Sequence, residues 1–92
     1  MEPEKLKLIE EYAGLFFTIE EIAILIEIDY DKFKIKLREK QSDVYRAYMR
    51  GKLNSIMAIR KNQLLLARNG SPKAEEAVEK LIKTQNISET EI

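Results

Sequence analysis

Apolar residues recur at helical spacing through most of this chain, and the places where the spacing stops divide it into five predicted helices. In the first helix, an apolar stripe at roughly helical spacing consists of Leu6, Leu8, Ile9, Tyr12 and Ala13. Pro3 suits its first turn, and Gly14 marks its end. The pattern predicts helices over 3–13, 19–26, 30–40, 43–68 and 72–85.

The second and third helices are short and closely spaced. Thr18 followed by Glu21 is a capping box that starts the second helix, and Asp29 is a suitable cap for the third. Ile22, Ala23 and Ile26 form the inner face of the second helix, Ile28 marks the turn, and Phe33 and Leu37 continue that face in the third. Two short helices joined by a tight turn are typical of a helix-turn-helix.

The remaining helix start and end signals predict two further helices, and the chain is therefore predicted to be all-α. Ser42 caps a long fourth helix, Asn69-Gly70 ends it, and Ser71-Pro72 starts a fifth. We expect residues 15–17, Leu-Phe-Phe, to pack as a staple and core link between the first two helices. The predicted organisation is a helix-turn-helix three-helix unit over 1–41, an antiparallel helical hairpin over 42–85, and a frayed tail over 86–92.

A stripe of small side chains runs along the fourth helix. Glycine in mid-helix costs about 1 kcal/mol relative to alanine, so close approach of another helix is a reason to keep it. That helix could belong to another subunit or to the first three helices of the same chain, and a break in the long helix at the glycine is a third reading. We expect another subunit, and therefore a homo-oligomer whose interface contains Ala47, Gly51, Ser55 and Ala58.

The net charge of zero conceals a basic middle segment. Residues 1–29 hold eight acidic and two basic side chains, whereas residues 30–68 hold three acidic and eleven basic ones. Nucleic acid responds to such a local field and not to the total charge. The alternative interpretation is an ordinary solvated helix surface.

Projection of the third helix at 100° per residue places its charges around the core face. Asp31, Ile35 and Glu39 occupy the centre of the outward face. Because a helix-turn-helix presents its second helix to the major groove of DNA, we expect double-stranded DNA as the partner. The candidates for base contacts are Tyr30, Lys34, Ile35 and Arg38, and those for phosphate contacts are Lys32, Lys36 and Lys40.

Composition makes catalysis an unlikely role for this chain. It has no cysteine and no histidine, which excludes thiolate chemistry, cysteine-based zinc sites and histidine bases. Adjacent glutamate pairs diverge by 100° on a helix and do not converge on a substrate. We therefore expect no enzyme activity, no metal and no cofactor. The charged amphipathic beginning of the chain and the lack of a long apolar run predict a cytoplasmic protein with no membrane partner.

The order of these features resembles the small subunit of phage terminases of the helix-turn-helix type. Two segments carry the resemblance, TIEEIAILIEIDYDKFKIKLREK and AYMRGKLNSIMAIRKNQLLLARNGSPKA, within about residues 5–82. Glu27 stands where the family usually has glycine in the turn. The matching positions in the second segment are Tyr48, Gly51, Gln63, Ala67, Gly70 and Pro72.

The resemblance implies a DNA-packaging function. Small terminase subunits recognise viral DNA, usually as rings, and deliver it to a large subunit that has ATPase and nuclease activity. It implies that the third helix contacts DNA, that the hairpin forms oligomer contacts, and that a large terminase subunit is a possible partner. Two alternatives remain open: a helix-turn-helix transcriptional regulator, and a helical homo-oligomeric adaptor that does not bind DNA.

Overall fold

The computed structural model describes residues 1–90, and the protein is all-α over this range, as predicted. The chain forms two compact units, Met1–Ile56 and Met57–Ile92, which meet within one helix. The boundary between units therefore does not fall at the predicted position between 41 and 42. The helices are α1 (Pro3–Gly14), α2 (Ile19–Leu25), α3 (Tyr30–Arg38), α4 (Asp43–Arg68) and α5 (Pro72–Thr90).

The first half of α4 belongs to the first unit because it supplies part of that unit's core. Val44 is fully buried and Ala47 is nearly so, in one cluster with residues from α1, α2 and α3. Burial of apolar side chains is the main favourable term in folding, so these contacts tie the long helix to the three short ones. The largest fully buried side chains are Phe33, Ile9, Ile22 and Val44.

The beginnings of α2 and α3 have the predicted caps. The Glu21 backbone N–H donates to the Thr18 hydroxyl at 3.1 Å, and the Thr18 N–H donates to the Glu21 carboxylate at 2.9 Å. The Lys32 N–H donates to the Asp29 carboxylate at 3.0 Å. Each bond satisfies a backbone donor that has no partner within its helix, so the side chains define where the helices begin.

The ends of α1, α2 and α4 share one geometry. In each, the second residue past the cap donates its N–H to a carbonyl five residues earlier, for example Ile28 to Ala23 at 3.0 Å. This is a Schellman motif, which needs a left-handed residue before that donor. Gly70 (φ 87°) fills that position after α4, but Phe16 (φ 63°) and Glu27 (φ 55°) fill it after α1 and α2.

The segment between α1 and α2 is more exposed than predicted. Leu15 and Phe16 are 61% and 52% exposed, so they do not form a core link. Their exposure follows from the Schellman turn, which directs Phe16 away from the helix. Phe17 is half-exposed and packs its ring edge-to-face on Tyr12, with centroids 5.8 Å apart. That pair is the apolar contact that commonly accompanies this motif.

The small-residue stripe of α4 contacts α1 of the same chain, so the prediction of another subunit is corrected for three of its members. A Cβ at Gly51 would lie 2.9 Å from Cα of Glu10, so the two helices are in close backbone contact. The Ser55 hydroxyl donates to the Gly14 carbonyl at 2.6 Å, and Ala47 is buried in the core of the same unit. Ala58, the fourth member, is exposed in the second unit.

Two helix ends also differ from the prediction. Helix α3 ends at Arg38, so Lys40 lies outside the helix. The Ser42 hydroxyl donates to the Lys36 carbonyl at 2.8 Å, in the last turn of α3. Helix α5 continues to Thr90, so residues 86–90 of the predicted frayed tail are helical. The rest of that tail, residues 91–92, lies outside the described residues.

Candidate nucleic-acid interface

The orientation of α3 is fixed by its inner face. Phe33 is fully buried, and Leu37 one turn later packs against the core. Because residues three and four apart share a helix face, the opposite side of α3 must face solvent. The tight α2–α3 turn and the Asp29 cap hold the first turn of α3 at the surface.

The structure places all seven predicted DNA-contacting residues at the surface. Tyr30 and Ile35 are 39% and 56% exposed, and Lys34 is half-buried. Lys40 lies just beyond the C-terminal end of α3. The remaining members, Lys32, Lys36 and Arg38, are exposed on the helix.

Lys34 differs from the other basic residues because it is held in place. Its ammonium lies 3.5 Å from the Asp31 carboxylate and 4.4 Å from the centre of the Tyr30 ring. Both contacts join residues one turn apart, and an exposed ion pair of this kind contributes little to stability. Sequence reasoning missed this cluster, although the spacings of three and four residues could have indicated it. Lys34 must exchange Asp31 for a DNA group if it contacts DNA.

Lys32, Lys36 and Arg38 have no ion-pair partner within residues 1–90. Lys36 and Arg38 lie in the last turn of α3, where positive charge also compensates the negative end of the helix dipole. Helix stability therefore explains part of this charge. It does not explain Lys32 near the positive end of the same dipole, and a partner with negative charge would explain all three.

The charge of the first unit is polarised along the chain. Helices α1 and α2 carry most of the acidic residues in 1–29, whereas α3 carries four basic residues and one acidic residue. A polyanion would therefore be attracted to α3 and repelled by α1 and α2. This difference restricts how the unit can approach a phosphate backbone.

The second unit contains a shallow groove that is open to solvent. Its volume is about 460 Å³, and its apolar lining comes from Leu64 on α4 and from Val78, Leu81 and Ile82 on α5. Arg60 and Glu89 add charged groups to the groove wall. The groove is mostly apolar, which is typical of a surface for another helix and not of a site for a charged substrate.

Other kinds of site are not found in the described residues. Within residues 1–90, no group of three or more Asp or Glu side chains could hold a metal ion. No helix in the same range combines the length and the apolar character needed to cross a membrane. The basic surface of α3 and the apolar groove of the second unit are therefore the two candidate binding surfaces in the described residues.

No protein family, curated protein or solved structure matches this chain. The likeness to small terminase subunits therefore depends on the order and spacing of the sequence features alone.

Proposed function

We propose that this chain is a non-enzymatic DNA-binding protein of phage or prophage type, which uses α3 as the recognition helix of a helix-turn-helix. The observation that carries the proposal is the contrast between the two sides of α3. Phe33 anchors one side in the core, while Lys32, Lys36 and Arg38 project from the helix without ion-pair partners. DNA phosphates supply the negative charge that these side chains lack within the unit.

In this proposal the residues of α3 divide between two tasks. Lys32 and Lys36, together with Lys40 beyond the helix end, bind phosphates and set the register on the duplex. Tyr30, Lys34, Ile35 and Arg38 reach base edges. A recognition helix inserts its N-terminal turns into the major groove, and the long side chain of Arg38 extends to the base edges from the last turn. Packaging of viral DNA, in the manner of a small terminase subunit, is the biological role that fits the sequence resemblance.

Binding to duplex DNA is expected to weaken steeply with salt. Each neutralised phosphate contributes about −0.9 to the slope of log K against log salt, so the three phosphate contacts predict about a fortyfold loss between roughly 50 and 200 mM. Fluorescence anisotropy with a labelled mixed-sequence duplex measures this slope. Affinity that does not change over this range, or no binding at the lower salt, would contradict the proposal.

We further propose that the second unit mediates homo-oligomerisation. Among residues 57–90, Ala74 alone is buried, while Leu64, Leu65 and Ile82 are 41%, 56% and 50% exposed. Two helices with so little buried surface cannot hold together on their own energy. A second copy that covers the groove would supply the missing burial, and linked copies would bind adjacent stretches of DNA more tightly than a single copy.

Substitution of Ile82→Glu in the groove is expected to dissociate the oligomer. Burial removes the new carboxylate from water, and Arg60 on the groove wall offsets only part of that cost, so the association constant should fall at least about tenfold. Multi-angle light scattering over a concentration series measures the mass. The matched control is Ile87→Glu, because Ile87 is 61% exposed and is not among the residues that line the groove. Equal masses for both variants and the unmodified chain would exclude the groove as the interface.

The oligomer mass also separates the proposed roles. A ring of several copies fits a terminase-like packaging protein, whereas a dimer that binds a palindromic site fits a transcriptional regulator. An oligomer that does not bind DNA fits the adaptor.

A further inference from the structure

Ile35 is an isolated apolar residue on the outward face of α3. It is 56% exposed, although a lysine or glutamate would suit an exposed helix position better. Each residue one, three or four positions away from it on the chain is charged. These residues are Asp31, Lys32, Lys34, Lys36, Arg38 and Glu39.

This arrangement favours nucleic acid over protein as the partner of Ile35. A protein-docking surface needs a contiguous apolar patch, and the charged ring around Ile35 interrupts any such patch. The ring is predominantly basic, with four cations against Asp31 and Glu39, so its charge complements a polyanion. The partner of Ile35 must then be an apolar group that is surrounded by negative charge.

The major groove of DNA offers one apolar group on its base edges, the C5-methyl of thymine. We infer that Ile35 is a specificity-determining residue that contacts thymine methyl groups in the major groove. This inference rests on the proposed DNA binding by α3 and adds a class of target, a duplex with thymine at the position under Ile35.

The ion pair beside Ile35 is consistent with this placement. Asp31 and Lys34 neutralise each other at 3.5 Å on the turn before Ile35, so the centre of the outward face does not attract phosphates. Lys36 in the last turn of the helix and Lys40 just beyond it carry positive charge without an ion-pair partner within residues 1–90. Phosphates bound there would leave the centre of the face, and Ile35 with it, directed at the base edges.

The test removes the methyl group from the DNA and leaves the protein unchanged. A duplex is first selected by the unmodified chain from a random library, and each selected thymine is then replaced by deoxyuridine. At the contacted position the affinity should fall about fourfold, the equivalent of about 0.8 kcal/mol for one buried carbon. The same replacement should leave the affinity of an Ile35→Ala variant unchanged, because the partner of the methyl group is already missing.

The matched control is Ile24→Ala, which removes the same atoms from an isoleucine that is 70% exposed on α2. This variant should keep the fourfold sensitivity to deoxyuridine. Equal binding of thymine and deoxyuridine duplexes by the unmodified chain would overturn the inference, as would a fourfold loss that persists in Ile35→Ala. In both cases DNA binding itself would stand, whereas the absence of any duplex binding would overturn the proposed function as well.

Discussion

Reversing the charge of Lys34 and Arg38 together, by Lys34→Glu and Arg38→Glu, is expected to weaken DNA binding more than about a hundredfold. A base-edge contact from a basic side chain is worth about 1–3 kcal/mol, and every 1.4 kcal/mol is tenfold in affinity. The double substitution removes two such interactions and also turns two carboxylates toward the duplex, so repulsion adds to the loss of attraction. Fluorescence anisotropy at about 100 mM salt, the middle of the range for the salt slope, measures the change.

The fold should survive this double substitution. Arg38 is exposed and loses its favourable interaction with the helix dipole, and Lys34 exchanges an exposed ion pair with Asp31 for repulsion. Each of these terms is small at the surface, so urea unfolding should show a loss of no more than about 2 kcal/mol. The matched control is Lys80→Glu with Lys83→Glu, which makes the same change in net charge at exposed positions on α5. If this control loses affinity to the same extent, net charge and not α3 determines binding.

The starts of the helices could be predicted because local side chains determine them. Thr18, Asp29 and Ser42 each accept a backbone N–H within three residues, so a short window of sequence contains the whole interaction. The end of α4 was predictable for the same reason, since Gly70 adopts the left-handed conformation that glycine tolerates. Helix α4 accordingly has the predicted bounds.

The turns after α1 and α2 could not be predicted in the same way. Phe16 and Glu27 adopt the left-handed conformation that glycine usually supplies, at a cost of about 1–2 kcal/mol for a residue with a side chain. Packing of the helices on either side must offset this cost, and packing depends on residues distant in the sequence. The exposure of Phe16 is a direct consequence that periodicity could not reveal.

Part of the candidate interface on α3 could be predicted from local sequence, and part could not. Helical periodicity placed Phe33 inside and the basic residues of α3 at the surface, because this requires only the geometry of one helix. Periodicity does not tell which surface charges are free: the three-residue spacing of Asp31 and Lys34 permits an ion pair but does not show that it forms. The sequence also did not identify the partner of the small-residue stripe on α4. A small residue such as Gly51 indicates close approach of another helix but does not show which helix approaches.

The packing of α1 against Gly51 can be tested in solution by adding a single methyl group at this position. Substitution of Gly51→Ala is expected to destabilise the first unit by about 1–3 kcal/mol. The added Cβ would lie 2.7 Å from the carbonyl carbon of Glu10 and closer still to its oxygen, so backbone atoms of α1 must move. This movement would also disturb the hydrogen bond from Ser55 to Gly14. The gain of about 1 kcal/mol from replacing glycine in a helix offsets only part of that cost.

Urea unfolding followed by circular dichroism measures the effect, and Asn54→Ala is the matched control. Asn54 is exposed three residues later on α4, so alanine there should be neutral or slightly stabilising. The oligomer mass distinguishes the two partners that the sequence left open. If α1 covers Gly51, the alanine lowers stability and leaves the mass unchanged in the folded protein. If another subunit covers Gly51, the same methyl group lowers the mass first, and the packing of α4 on α1 is then wrong.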